Sequence, residues 1–376
     1  MDAIKRKAER SCPPAKKTYI KFFRPVPQPS KGVAGENVDC AEEFTTTLQN
    51  TQKIEQLLAD NGFVIIRNVL NAAECQEIID GVWDSMEKIT ADLEIPLDRN
   101  NRQTWASMKK QENIRNMYSQ HGIVHAEFFW KLRQHPNILA VFSLLYNCQP
   151  KDLLASFDGL CMQTPPEYST RGRGWYHSSW YHVDQSYTRP KKECFQSWVT
   201  ARDVRPNDYT IGFFKGSHKS FREFGEKFGI KKRGDLNKLE TPEQMEFYES
   251  RHQQIRITCP AGSLVVWDSR LLHSGLEPLR GREKPNFRTV CYLSYGPRHD
   301  VRPHILQKRI DLFRKRRATS HWTHVHMRTI PDKPPTESRI WQLQTEPLQT
   351  DLLKWLVGFP ESEMSNLKQT KLTTFM

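Results

Sequence analysis

The sequence has no apolar run long enough to cross a membrane. No stretch approaches the ~18 consecutive apolar residues of a membrane helix, and the N-terminus lacks the apolar core of a signal peptide. The eight cysteines are scattered without any Cys-x-x-Cys pair, which argues against a disulfide framework and against a cysteine-rich zinc site. These absences predict an intracellular protein, in the nucleus or the cytoplasm, that has no membrane partner.

The composition is that of a folded protein with one large core. The chain has 376 residues, of which 37% are hydrophobic and 26% are charged. Single β-barrel or jelly-roll domains often reach about 250 residues, so this length does not require two domains. We therefore expect one large domain with additions at its ends, present as a monomer.

Acidic residues are scarce in two segments, which carry the whole net charge of +13. Residues 1–31 contain nine Lys and Arg against two acidic residues, and residues 298–317 contain eight against two, so the rest of the chain sums to zero. For both segments, binding of nucleic acid by phosphate neutralisation and a merely solvated basic surface are open interpretations.

Composition also divides the chain into three parts. Residues 1–40 are rich in Pro and Lys and have no apolar period, which predicts a disordered tail. Its basic residues between positions 5 and 17 have the spacing of a bipartite nuclear import signal, with a solubilising tail as the alternative. The pattern of residues 41–297 predicts a folded domain with a charged, helix-prone insertion at 219–250. Residues 298–376 predict a basic, mainly helical extension packed on that domain.

Short β-type runs separated by Gly, Pro and Asn dominate the domain, mostly without helices between them. The clearest runs lie at 195–201, 210–214, 255–258, 263–267 and 288–295. This spacing predicts a mainly β fold with α elaborations, a double-stranded β-helix of the jelly-roll, cupin-like type. Apolar periodicity predicts buttressing helices at 72–90 and within 121–147, with a break at Pro136. A single strand at 153–163 is expected to enter the sheet.

The stretch Trp-Tyr-His-Val-Asp-Gln-Ser-Tyr at 180–187 lies at the centre of the sequence. In an extended backbone His182 and Asp184 point the same way, because side chains alternate faces along a strand. An imidazole and a carboxylate are two of the three groups in the 2-His-1-carboxylate triad, which leaves three coordination positions open on non-haem Fe(II). His273, at the end of an apolar run beside a small-residue turn, is the candidate for the third ligand.

Arg288 opens a second β-type run fifteen residues after His273. A guanidinium at that position could bind the far carboxylate of a dicarboxylate through a bidentate pair, which a lysine cannot copy. The pattern therefore adds an anion-binding cation to the candidate metal ligands.

With these residues the sequence resembles the phytanoyl-CoA dioxygenase family of Fe(II)/2-oxoglutarate oxygenases, from about residue 61 to residue 295. The resemblance is carried, in chain order, by Asn-Gly-Phe-Val-Ile-Ile from Asn61, Met-Gln-Thr-Pro-Pro from Met162, the His182 and Asp184 stretch, Trp198, Lys-Gly-Ser-His from Lys215, and the segments of His273 and Arg288. It implies oxidative decarboxylation of 2-oxoglutarate coupled to hydroxylation of a substrate by dioxygen, with release of succinate and CO2.

The resemblance also implies residue roles. His182, Asp184 and His273 would hold Fe(II), Arg288 would bind the far carboxylate of 2-oxoglutarate, and Gln163, Trp198 and Ser274 would contact the co-substrate. One departure concerns the arginine, because relatives usually place it ten or eleven residues after the second histidine. Arg282 is nearer to that count but lies in a loop, so strand context favours Arg288.

Two interpretations from other classes stay open. The first is a catalytically inactive jelly roll used for binding or scaffolding, and the second is a nucleic-acid-binding protein that works through its basic segments. Arg171 and Arg173 alternate with Gly and aromatic residues and favour an acidic substrate or partner. The three histidines of segment 321–326 offer zinc-type ligands but no thiolate or carboxylate at matching spacing. A small molecule and an acidic macromolecule are both open as substrates.

Overall fold

The computed structural model describes residues 36–38, 43–109, 117–169, 174–299, 301–330, 347 and 349–364. Most of the predicted tail, including the import-type segment, lies outside this part of the chain, and so do Arg171 and Arg173. No helix in the described part is both long enough and apolar enough to span a bilayer. The six cysteines described there carry free thiols.

The described residues form fourteen strands and nine α-helices. The strands are β1 (Glu36–Val38), β2 (Thr45–Thr47), β3 (Phe63–Arg67), β4 (Met117–Tyr118), β5 (Leu153–Ala155), β6 (Leu160–Gln163), β7 (His182–Val183), β8 (Phe195–Thr200), β9 (Thr210–Phe214), β10 (Asn237–Lys238), β11 (Gln254–Ile257), β12 (Leu264–Asp268), β13 (His273–Leu276) and β14 (Arg288–Pro297). The helices are α1 (Thr51–Asn61), α2 (Ala72–Ile89), α3 (Ala106–Lys109), α4 (Glu127–Arg133), α5 (Pro136–Tyr146), α6 (Phe221–Lys227), α7 (Pro242–Glu249), α8 (Pro303–Arg314) and α9 (Asp351–Val357).

Two sheets face each other across an apolar core. The larger has the order β2-β3-β12-β8-β14-β6-β4, with β5 also paired to β14, and the smaller has the order β1-β11-β9-β13-β7-β10. Only β1 with β11 and β2 with β3 pair in parallel among the described strands. The predicted class, a mainly β jelly roll with helical additions, is confirmed.

Strand β12 shows how alternation builds the layers. Val265 and Trp267 point between the two sheets, whereas Leu264 and Val266 point to the other face, where the helices pack. All four side chains are almost completely buried. A strand covered on both faces must be apolar throughout, and this explains its unbroken hydrophobic run.

The buttressing helices begin where capping chemistry predicts. The side chain of Asn71 accepts a hydrogen bond from the Glu74 N–H at 3.0 Å, and the Glu74 carboxylate accepts one from the Asn71 N–H at 2.8 Å, so α2 starts with a capping box. The predicted break at Pro136 separates α4 from α5, and the proline is the first residue of α5.

The prediction of a single strand at 153–163 is wrong, because the structure has two strands there, β5 and β6. Both pair with β14, but their registers differ by one residue, so residues 156–159 face only three residues of β14, 292–294. One extra residue on one strand is a β-bulge, which bends the strand and re-aims side chains. No periodic signal in the sequence marks this interruption.

The insertion at 219–250 is helical as predicted, but it also adds a strand to the smaller sheet. β10 pairs antiparallel with β7, and Lys238 lies opposite His182. The ring of Tyr187, just after β7, packs on Phe221 and Phe224 of α6 at 4.4 and 5.0 Å between centroids. The insertion therefore packs along the outer edge of β7, the strand that carries His182.

The C-terminal extension packs on the outer face of the larger sheet through α8 and α9. Arg309 of α8 is fully buried, and its guanidinium donates to the carbonyls of Ala155 (2.6 Å), Thr323 (2.6 Å), Val357 (2.8 Å) and Leu356 (3.0 Å). Arg298 donates to the carbonyl of Phe359 at 2.6 Å. Part of the basic segment 298–317 therefore makes internal ties, whereas Arg314 and Lys315 are exposed.

Candidate metal centre and its cavity

His182 and His273 lie side by side because their strands pair. β7 and β13 are antiparallel neighbours in which these two residues are Cα partners, and the ring centroids are 4.3 Å apart. Asp184 follows β7, and its N–H donates to the Ser269 carbonyl at 3.1 Å, which holds the backbone after His182 in place. The three candidate ligands, distant along the chain, therefore meet at one point of the smaller sheet.

The ligand atoms of these side chains converge. Asp184 Oδ1 lies 3.7 Å from His182 Nε2, and Asp184 Oδ2 lies 3.4 Å from His273 Nε2. One ligand atom from each residue lies within 4.8 Å of the other two, and no second cluster of this kind occurs in the described part of the chain. Each Nδ1–H donates to a carbonyl two residues earlier, at 3.0 and 2.9 Å, which leaves both Nε2 lone pairs facing the carboxylate.

The protonation states of this group suit a cation. Burial, with the neighbouring His273, lowers the pKa of His182 to about 3, so its imidazole is neutral at neutral pH. Burial raises the pKa of Asp184, but the two imidazoles lower it by more, and the carboxylate is ionised. Two neutral imidazoles and one carboxylate are the donor set that non-haem Fe(II) takes, so the residues present fit the ion.

A cavity of about 330 Å³ opens from these side chains between the two sheets. Arg288 and Gln163 both line it, and they are Cα partners across β14 and β6. Arg288 is buried, and its Nη1 donates to the Thr210 carbonyl at 3.0 Å. The Oε1 atom of Gln163 is buried without a hydrogen-bond partner. A guanidinium with donors left over and an unpaired amide oxygen fit a polar ligand such as a dicarboxylate.

Arg282, the alternative arginine, is engaged elsewhere. It donates to both carboxylate oxygens of Glu167, at 2.7 and 2.6 Å, and to Asp208 Oδ1 at 2.7 Å. It does not line the cavity of the described residues. This placement favours Arg288 as the cation that faces the metal centre.

Trp198 and Ser274 lie near the cavity without lining it. Trp198 is completely buried behind Arg288, with 5.8 Å between the guanidinium carbon and the ring centroid. Strand alternation turns Ser274 away from His273, and its hydroxyl accepts from the Trp180 N–H at 3.1 Å and donates to the Gly275 carbonyl at 3.0 Å. Their predicted contacts with the co-substrate stay predictions.

Sequence reasoning missed several residues that line the cavity, among them Asp158, Gln196, Tyr292 and His321. His321 lies against the main-chain carbonyl of Asp184, and its Nε2 is buried without a partner. The histidines of segment 321–326 do not converge, because His326 lies 3.3 Å from Glu193 instead. The strand alternation of β8 and β14 could have indicated Gln196 and Tyr292, but no local signal marked Asp158, and His321 was noted only as a possible zinc ligand.

Comparisons with known proteins find a matching family and a related protein. A family model described as phytanoyl-CoA dioxygenase (PhyH) matches residues 58–277, more than half of the chain, which confirms the resemblance carried by the motifs. The "Ava biosynthesis cluster protein O" of Aspergillus versicolor is 25% identical over 222 residues, which cover 56% of this chain and 68% of that protein.

Two solved structures resemble this chain at low sequence identity. A hypothetical protein from Escherichia coli superposes with a TM-score of 0.58 at 10% identity, over 84% of this chain and 85% of that one. The non-haem α-ketoglutarate-dependent epimerase SnoN from nogalamycin biosynthesis gives a TM-score of 0.42 at 15% identity, over 66% of this chain and 83% of its own. The likeness to the Escherichia coli protein shows a common fold. The family match ends at residue 277, so three residues that line the cavity, Ser320, His321 and Ile330, lie beyond it.

Proposed function

The chain belongs to the phytanoyl-CoA dioxygenase (PhyH) family, and from this premise we propose that it hydroxylates a small-molecule substrate while 2-oxoglutarate is converted to succinate and CO2. It is a non-haem Fe(II)/2-oxoglutarate-dependent oxygenase that uses dioxygen. The observation that carries the proposal is the convergence of His182, Asp184 and His273 in the wall of a cavity that Arg288 also lines.

The residues divide the work between metal and co-substrate. His182, Asp184 and His273 would hold Fe(II) through two Nε2 atoms and the carboxylate. Arg288 would bind the far carboxylate of 2-oxoglutarate by charge-assisted hydrogen bonds, which strengthen in a dry pocket, and Gln163 lies beside it. Bound iron and co-substrate supply the oxidative chemistry with dioxygen, whereas the protein supplies position and exclusion of water.

Aromatic and aliphatic side chains keep this site ordered and dry. The Trp180 ring stacks on the His182 imidazole, with 4.0 Å between centroids and 13° between planes. Trp267, Ile211 and Leu276 are buried in the cavity wall. An imidazole fixed by stacking and by its Nδ1–H hydrogen bond keeps its Nε2 lone pair aimed at the metal position. These contacts would limit misplacement of the ligands and entry of bulk water.

The substrate is proposed only by class. A cavity of about 330 Å³ that also has to hold the co-substrate leaves room for a small molecule or for one end of a larger one. The preference for an acidic substrate and the binding of nucleic acid both depend on basic residues of which most lie outside the described part. Within segment 298–317 the guanidiniums of Arg298 and Arg309 are already bound to main-chain carbonyls. Nuclear import through residues 5–17 likewise stays a prediction, tested by the location of a fluorescent fusion of residues 1–35.

Turnover of 2-oxoglutarate by the purified protein tests the proposal. We expect the Fe(II)-loaded protein to release succinate slowly without substrate, and His273→Ala or Asp184→Ala to abolish this release and weaken Mn(II) binding at least ~100-fold, because a triad that loses one ligand holds the ion poorly. Succinate would be measured by NMR and Mn(II) binding by calorimetry. His326→Ala, a change outside the cavity, is the matched control.

Equal Mn(II) affinity in the triad variants and the unchanged protein would remove the proposed metal centre. Metal binding without any conversion of 2-oxoglutarate to succinate would instead favour the alternative, an inactive jelly roll used for binding. The two results are distinguishable because binding and turnover are measured on the same samples.

A further inference from the structure

Two charged side chains of the cavity lining, Arg288 and Asp158, lie at separate places along strand β14. Arg288 opens β14, and four residues further along that strand the Tyr292 N–H donates to the Gly159 carbonyl at 3.0 Å, beside the bulge. At ~3.3 Å per residue, the bulge lies about 13 Å from Arg288. A five-carbon dicarboxylate is roughly 7 Å long from ordinary bond lengths. A co-substrate held at Arg288 is shorter than this main-chain separation, so a substrate has room at the bulge end of the cavity.

The bulge places the carboxylate of Asp158 in the cavity wall. Phe157 and Leu160, on either side, pack on the helix-covered face of the larger sheet, and Asp158 lines the cavity with only 8% of its surface exposed. The next residue has to be glycine, because a Cβ atom at Gly159 would lie 2.7 Å from the Tyr118 carbonyl oxygen. The Asp158 carbonyl accepts a hydrogen bond from Arg133 at 3.2 Å. Several independent features therefore hold this carboxylate at the cavity.

This carboxylate has one hydrogen bond and no salt bridge among the described residues. Its Oδ1 accepts from the Gly159 N–H at 2.7 Å, whereas the nearby Arg133 donates to main-chain carbonyls and not to the carboxylate. Burial raises the pKa of Asp158 to about 7, although the Gly159 N–H and Arg133 oppose the shift. A buried carboxylate without an ion pair is destabilising, and a group of this kind in a cavity is a candidate for binding a ligand.

The other charges of the loaded cavity cancel. The two positive charges of Fe(II) and the one of Arg288 balance Asp184 and the two carboxylates of 2-oxoglutarate. Glu277, a further acidic residue of the lining, has the buried guanidinium of Arg256 beside it. Asp158 is different, because Arg133 opposes the rise of its pKa but gives its hydrogen bonds to main-chain carbonyls, so the carboxylate has no ion pair among the described residues. A carboxylate that lines the cavity and has no ion pair attracts a cation and repels an anion locally.

Two further residues of the cavity wall, His321 and Tyr292, also suit a cationic ligand. The Nε2 of His321 is buried without a partner, and because the ring lies against the Asp184 carbonyl, which can only accept, Nε2 is left as an acceptor. The aromatic ring of Tyr292 also lines the cavity. Acceptors and an aromatic face are what an ammonium group meets in cation-binding sites.

We propose that Asp158 is a substrate-binding residue and that the substrate enters the cavity with a protonated amine, which pairs with this carboxylate. The proposal rests on the proposed function, because it assigns the end of the cavity that the co-substrate leaves free. A preference for acidic partners at the basic tails concerns other surfaces and is compatible with it.

Binding of three matched probes tests this assignment. n-Butylamine, n-butanol and n-butyrate share an alkyl chain and differ in charge, so titrating each into Mn(II)- and 2-oxoglutarate-loaded protein at pH 8, followed by thermal shift and calorimetry, isolates the charge. We expect the amine to bind at least about tenfold more tightly than the alcohol, and butyrate most weakly. In Asp158→Asn the amine should lose this advantage, whereas Glu283→Gln, the same charge change on an exposed loop, should keep it.

Three results would overturn the proposal: butyrate binding as tightly as butylamine, an unchanged amine preference in Asp158→Asn, or no amine binding up to about 50 mM, a limit weaker than the ~1 mM affinities of small ligands. The 2-oxoglutarate affinity of each sample is measured first. If the unchanged protein does not bind 2-oxoglutarate, that result counts against the proposed function. The amine titration would then be repeated without metal and co-substrate, because Asp158 is present in that sample too.

Discussion

Two buried arginines, Arg309 and Arg288, illustrate how different roles arise from the same side chain. Arg309 donates to four main-chain carbonyls between the extension and the larger sheet, and among the described residues it is not part of the lining of the cavity at the metal centre. Arg288 donates to one carbonyl, that of Thr210, and its remaining donors face the cavity beside the metal centre. A guanidinium has five N–H donors, so the first is nearly satisfied by protein and the second is not.

The difference teaches how to separate structural from functional charges in this chain. A buried charge whose partners are complete stabilises the fold, because removing it leaves unpaired carbonyls. A buried charge whose partners are incomplete, and which faces a cavity, is kept for a ligand. Asp158 is an anionic residue of the kind whose partners are incomplete. Each substitution below tests whether a buried residue stabilises the fold or binds a ligand.

The largest expected effect is on stability, at Arg309. Arg309→Met should lower the free energy of unfolding by about 3–5 kcal/mol, because four carbonyls lose their donor in a buried site. Urea denaturation followed by circular dichroism would measure it. Lys315→Met, an exposed position just after the same helix, should change stability by less than about 0.5 kcal/mol. A small effect at Arg309 would remove it from the structural group.

The next effect is on co-substrate affinity, at Arg288. Arg288→Gln should weaken 2-oxoglutarate binding about 100-fold, or ~3 kcal/mol, and Arg288→Lys should recover only part of it, because a lysine cannot form the bidentate pair. Calorimetry with Mn(II)-loaded protein provides the measurement. Arg282→Lys is the control and should change the affinity less than about threefold. A larger loss at Arg282 than at Arg288 would reverse the assignment.

A smaller effect is expected in the pH dependence of stability, at Asp158. Its pKa in the folded protein is raised from 3.8 to about 7 by burial, with Arg133 opposing and Asp184 adding to the shift. Between about pH 4 and pH 7 the folded protein holds a proton that the unfolded chain has lost, so this group lowers stability as pH rises, and the loss is complete above pH 7.

Asp158→Asn should remove that contribution. Its stability relative to the unchanged protein should increase between pH 4 and pH 7 by ~2 kcal/mol, about half of what the full shift implies, because relaxation and water entry around a buried carboxylate reduce the cost of its charge. Urea denaturation at pH 4.5, 6 and 8 would measure the trend. A difference that does not change with pH would show that the carboxylate has a partner in the folded protein.

The smallest effect is expected at Ser274, whose hydroxyl has both partners in the protein. Ser274→Ala should lower stability by about 1 kcal/mol and change 2-oxoglutarate affinity less than twofold. Thermal unfolding and calorimetry on the same preparation separate the two quantities. A tenfold loss of affinity would instead support the co-substrate contact that the family resemblance implies for this residue.

Two of the three candidate metal ligands could be predicted from a local signal. A spacing of two in an extended segment puts His182 and Asp184 on one face, whereas His273 was a candidate because it ends an apolar run and because the family resemblance implies a second histidine there. The spacing of short β-type runs likewise predicted the jelly-roll core, and apolar periodicity predicted helices that pack on it. Arg288 was preferred over Arg282 because it lies in a strand, and the Glu167 and Asp208 partners of Arg282 agree with that preference.

Only the tertiary structure decided which other groups reach the cavity. Asp158 faces it because a bulge adds one residue to a strand, and a bulge leaves no period in the sequence. His321 approaches Asp184, and Arg309 binds Ala155, through contacts between segments more than 100 residues apart. Local patterns determine strands, faces and the ligands that share them, whereas partners distant along the chain depend on how whole layers pack, and that packing decided which buried charges are satisfied and which await a ligand.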